Sequence, residues 1–83
     1  MDRRKLLRRL LDGRRKNVRF GDFTRLVEGF GFRLSRTSGS HHIYQRSGVT
    51  EALNLQSESG QAIPYQVKQF LDIVEKYDLR LEE

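Results

Sequence analysis

The apolar residues change period along the chain, and each change predicts a new element. Leu6, Leu7, Leu10 and Leu11 recur at i, i+1, i+4 and i+5 among Arg3, Arg4, Arg8 and Arg9, which predicts a short basic amphipathic helix over 2–12 with Gly13 as its stop. Residues 17–19 read as a connector. Phe23, Leu26, Val27 and Phe30 fall at i, i+3, i+4 and i+7 and predict a second helix over 21–30. Gly21 is its expected N-cap, Asp22 suits the positive end of the dipole, and Gly29 or Gly31 turns the chain at its end. From Phe32 the period falls to two, with strands expected over 32–37, 40–46 and 51–56 and turns at Thr37-Ser38-Gly39 and Ser47-Gly48. Ser57 to Ala62 is polar and contains a glycine, so it reads as a loop. Pro64 opens a last helix with Val67, Phe70, Leu71, Val74 and Tyr77 as its apolar set. Residues 78–83 form a tail in which only Leu79 and Leu81 hint at docking.

The expected architecture is α+β, in the order α-α-β-β-β-α, with the helices on one face of a three-stranded antiparallel sheet. It divides a single domain, 1–83, into an added basic helix and connector over 1–16, a core over 17–77 and the tail. Strand parity assigns Arg33, Ser35, His42, Tyr44, Arg46, Asn54 and Gln56 to the open face of that sheet, and His41 with Ile43 to the helix-covered face.

Composition narrows the function classes. A chain of 83 residues supports one core and no roomy cofactor cavity. The absence of cysteine excludes disulfide frameworks, thiolate metal sites and redox motifs, and fits a reducing, cytoplasmic location. No apolar run approaches the roughly 18 residues that a membrane span needs. The formal charge of +5 hides an asymmetry: residues 1–19 hold nine Lys or Arg and two Asp, 9 − 2 = +7, whereas the rest holds seven and nine, 7 − 9 = −2. Such a front is either a solvated helix face or a footprint for a polyanion.

The remaining chemistry sits in Gly39-Ser40-His41-His42-Ile43-Tyr44. Adjacent strand residues point to opposite faces, so the two histidines do not share one metal ion, and no metal site is expected. The same geometry turns Ser40 away from His41, and no orienting acid is recognisable for a Ser-His hydrolase. A single imidazole can still serve as general acid and base near neutral pH, and RNA carries its own nucleophile in the 2′-hydroxyl. The bland reading, a surface or half-buried structural pair, stands beside it.

The segment Gly31-Phe32 with Arg36-Thr37-Ser38-Gly39-Ser40-His41-His42-Ile43-Tyr44 resembles the signature of HicA-type toxins, the mRNA interferases of HicA-HicB toxin-antitoxin modules, and Ala62-Ile63-Pro64-Tyr65-Gln66-Val67 resembles the opening of that family's last helix. The resemblance covers roughly residues 17 to 77. It implies a double-stranded-RNA-binding-domain-like fold, metal-independent cleavage of mRNA without a cofactor, and a HicB-like antitoxin as partner. The family's catalytic histidine directly follows Gly-Ser, which carries over onto His41, with His42 as its competitor and Gly39 and Ser40 as motif support. Arg33, Arg36, Tyr44 and Lys68 are RNA-binding candidates by charge, ring and nearness to the turn or the last helix. The alternatives are a non-catalytic RNA-binding module and a protein-interaction domain whose basic helix docks on an acidic partner.

Overall fold

A computed structural model describes residues 1–82. Helix α1 spans Arg3–Leu11, and the Asp2 carboxylate caps it by accepting from the Arg4 amide at 2.7 Å. Helix α2 spans Phe20–Gly29, one residue earlier than the sequence predicts, and starts from Arg19 rather than Gly21. Gly31 takes the left-handed conformation at φ 92° and sends the chain into strand β1, Arg33–Ser38. Strands β2, His41–Gln45, and β3, Leu53–Glu58, follow, and helix α3 spans Pro64–Lys76 with Pro64 in its first turn.

The segment expected to be a loop instead completes the sheet. Gln61–Ala62 form a short strand β4 on β3, closed by Ser59 and Gly60, both at positive φ (53° and 81°), the combination a type I′ hairpin requires. The sheet is therefore four-stranded and antiparallel, in the order β1-β2-β3-β4. The connector adds to its edge: the Ala62 amide donates to the Val18 carbonyl at 2.8 Å and the Phe20 amide to the Gly60 carbonyl at 3.0 Å. Val18 is buried there.

Residues of all three helices and of the sheet share one core. Phe70 stands at its centre, with Phe23, Phe30 and Phe32 presented edge-on at 5.6, 5.4 and 6.1 Å between ring centroids. The first helix belongs to this core through Leu6 and Leu10, both fully buried. The tail also docks: the Leu79 amide caps α3 at the Val74 carbonyl, the Glu82 amide reaches the Gly29 carbonyl at 2.6 Å, and Leu79 and Leu81 pack on the core. Glu83 lies outside the described residues.

Strand parity is opposite to the expectation at β2. Tyr44 pairs with Leu53 and His42 with Leu55, so these side chains share the covered face, whereas His41 pairs with Gln56 and Ile43 with Asn54 on the other. Tyr44 is only 4% exposed. An aromatic ring buries more apolar area than an isoleucine side chain, and the larger gain sets the register. Edge strand β1 contains a bulge between Leu34 and Arg36, and all six of its residues are exposed, Leu34 at 47%. The extra residue, Ser35, re-phases the strand. Arg33, opposite Gln45, and Arg36, opposite Ile43, thus both fall on the face of His41.

Candidate nucleic-acid site

The turn before β2 positions the histidines. Ser38 pairs with His41 across a two-residue loop in which Gly39 takes φ 59°, the first central position of a hairpin turn that glycine occupies without strain. Gly39 and Ser40 therefore act through backbone geometry. His42 turns inward, places Nδ1 3.1 Å from the Ser40 carbonyl, and lays its ring against Phe20 with centroids 5.1 Å apart. Because a carbonyl only accepts, Nδ1 is the donor.

His41 is half-buried on the opposite face, and a chain of amides fixes its tautomer. The backbone N–H of Gln56 can only donate, so the Gln66 atom 2.9 Å from it is the carbonyl oxygen Oε1. The Gln66 amide nitrogen then faces Gln56 Oε1 at 3.4 Å, which leaves Gln56 Nε2 directed at His41 Nε2 at 3.1 Å. His41 Nε2 is consequently the acceptor, and in the neutral ring the proton resides on Nδ1, which donates to Asn54 Oδ1 at 2.9 Å. Three amide side chains from β3 and α3 thus aim one ring. Sequence reasoning does not single out any of the three as a site residue; its only signal is the alternation of Asn54 and Gln56 on the polar face of the neighbouring strand.

The other candidates separate. Arg36 and Arg33 share the face of His41 by register, and Arg33 also donates from Nη1 to the Phe32 carbonyl at 3.3 Å. Tyr44, expected on the open face, is instead a core residue and has no face to offer a base. Burial pushes its phenol above the ordinary range, the Glu28 carboxylate adds to the effect, and a hydrogen bond with Thr24 opposes it. Lys68 is exposed on α3 and pairs with Asp72 at 2.8 Å, one turn along the same helix. Arg46, expected on the open face, ties the end of β2 to α2 by donating from Nε to the Phe30 carbonyl at 2.8 Å.

No group of three or more His, Asp or Glu among the described residues is arranged to hold a metal ion, and no helix is long and apolar enough to cross a membrane. A depression of about 810 Å³ lies between α2 and the β3–β4 turn, lined by Arg19, Asp22, Arg25 and Gly60. His41 does not line it; the imidazole stands on the sheet face opposite Tyr44. Compared with protein-family models, with curated proteins and with solved structures, the chain has no significant match to any.

Proposed function

We propose that this protein is a metal-independent endoribonuclease, the toxin of a HicA-type toxin-antitoxin pair acting on mRNA in the cytoplasm, with His41 as its general acid and base. The observation that carries the reading is the orientation of His41: a single ring on the open face, its Nδ1–H held by Asn54 and its Nε2 lone pair turned toward Gln56. When RNA binds, a 2′-hydroxyl replaces the Gln56 amide at Nε2 and gives up its proton there as O2′ attacks phosphorus. The resulting imidazolium keeps its Nδ1–H bond to Asn54, then returns the proton to the departing O5′. The P–O2′ bond forms, the P–O5′ bond breaks, and the products are a 2′,3′-cyclic phosphate and a 5′-hydroxyl. Arg33 and Arg36 on the same face supply charge for the phosphate.

Helices before an antiparallel meander and one helix after it fit the double-stranded-RNA-binding-domain-like scheme that the resemblance implies, with β4 as an addition to it. A HicB-like antitoxin would act by covering the His41 face. The test is expression in a bacterial host: wild type should arrest growth and deplete full-length mRNA, and His41→Ala should do neither. Equal growth and equally intact mRNA in both cultures would overturn the reading.

A second reading, RNA binding without cleavage, is favoured by one detail. Both ring nitrogens of His41 are engaged by amides. If Gln56 does not yield Nε2, the ring binds rather than reacts.

A further inference from the structure

We propose that the first turn of α3 is a single-stranded-RNA subsite, with Tyr65 as a base-stacking platform between His41 and the basic connector 14–17. The inference rests on the RNA reading above but not on cleavage. Two chains of adjacency converge on this turn. On one side, His41 touches Gln56 and Gln56 touches Gln66, the residue after Tyr65. On the other, Pro64, the residue before Tyr65, borders a depression of about 250 Å³ together with Lys16, Asn17, Glu58 and Ala62. Lys16 and Asn17 also border the next depression, about 600 Å³, which Arg9, Arg14 and Arg15 line. Through its neighbours Gln66 and Pro64, the first turn of α3 therefore lies on a strip of residues between the imidazole and the most basic part of the chain.

Tyr65 has the right chemistry for the middle of that strip. It is 68% exposed, the most exposed of the large apolar or aromatic side chains, and its ring is not part of the core. Its hydroxyl lies 3.5 Å from the Gln69 amide nitrogen, one turn on, which steadies the ring without covering it. The first turn of α3 carries no acidic side chain. An exposed ring beside a groove of basic residues is how sequence-tolerant single-strand binding is built, since every base offers a face to stack on and the cations hold the backbone. The basic helix does not need this surface for packing, because Leu6 and Leu10 already bury its apolar stripe in the core. Nor are all the cations of the helix and connector available: Arg15 donates to the Leu10 carbonyl at 3.2 Å and Arg9 to that of Lys16. Lys16 and Arg14 are the exposed ones nearest the strip, Arg14 within 3.5 Å of the equally exposed Asp12 carboxylate, and Glu58 is the acidic group that borders the strip and opposes them.

The test measures binding of a fluorescein-labelled single-stranded RNA, by anisotropy, to full-length protein carrying His41→Ala so that the probe stays intact. Tyr65→Ala should weaken binding about tenfold, since stacking on one aromatic ring commonly contributes that much. Tyr65→Phe should retain the affinity, Lys16→Ala should weaken it and flatten its salt dependence, and Glu58→Gln should strengthen it. Unchanged affinity in Tyr65→Ala, an equal loss in Tyr65→Phe, or no RNA binding at any salt would overturn the proposal. Wild-type cleavage of the same RNA is read separately: cleavage with an inert Tyr65 refutes the subsite and leaves the nuclease standing, whereas Tyr65-dependent binding without cleavage does the reverse.

Discussion

At the residue scale the question is what makes one of two adjacent histidines special. Nothing in the residue type distinguishes them, and β-strand alternation guarantees only that they differ in surroundings. The distinction comes from Tyr44, whose ring goes inward, takes His42 with it and leaves His41 outside. Removing the amide that holds the Nδ1 proton should therefore matter: Asn54→Ala should lower RNA cleavage several-fold, the worth of about one hydrogen bond, with little change in melting temperature because Asn54 is exposed. His42→Ala should show the opposite pattern, a lower melting temperature because Phe20 no longer has a ring to pack on, and retained cleavage. Kinetics and thermal melts of the two variants side by side check both. Two titrations belong to this scale as well. Hydrogen bonds from Lys76 and Tyr77 hold the Glu51 carboxyl down to about 2 from its ordinary value near 4.5. A depressed folded value stabilises the fold above the unfolded one, so Glu51 should begin to lose its contribution as pH falls below about 4.5 and lose the remainder as pH falls through about 2. Glu51→Gln should flatten that acid limb in a melting-temperature profile. The raised phenol of Tyr44 has the other sign: its contribution is complete below 10 and fades as pH climbs through the higher folded value.

At the element scale, periodicity is strong where segments are long. The helices at 2–12, 21–30 and from Pro64 emerge from their apolar spacing to within a residue or two, because burying one stripe on a core demands that spacing. Strand β4 lies beyond such reasoning: two residues, Gln61 and Ala62, have no period, and only Ser59-Gly60 as a turn pair marks the hairpin. Alternation alone turns Ile43 inward and misplaces the face of β2, because the register depends on which neighbour buries more area across the pair with β3. The bulge at Ser35 is likewise invisible to alternation, yet it is what brings Arg33 and Arg36 to the face of His41. The amides around His41 come from β3 and α3, so the motif is legible along the chain but its holder exists only once those elements pack. Packing at this scale is testable through Phe70, which meets three other phenylalanines: Phe70→Ala should cost about 3–5 kcal/mol in denaturant unfolding. Leu10→Ala in α1 should cost about 2–5 kcal/mol, since that side chain is fully buried; a loss near zero would show that the first helix is an appendage rather than part of the core.

At the scale of the whole molecule, positive charge is concentrated at the front of the chain. Nine basic residues fall within the first nineteen, and the connector that carries several of them folds back along the sheet edge, joined to β4 through Val18 and Gly60. A chain that merely needed a first helix for packing would not require that charge. RNA affinity should accordingly fall steeply with salt, and replacing both Arg14 and Lys16 by alanine should reduce the slope by about two, roughly one for each phosphate no longer neutralised. The catalytic claim is tested most directly by incubating a 5′-labelled RNA with purified protein in excess chelator and resolving the ends of the fragments. Wild type should produce fragments ending in a 2′,3′-cyclic phosphate, and His41→Ala, folded and still able to bind, should produce none; equal cleavage by the two proteins, or none by either, would contradict the assignment of His41 as the catalyst.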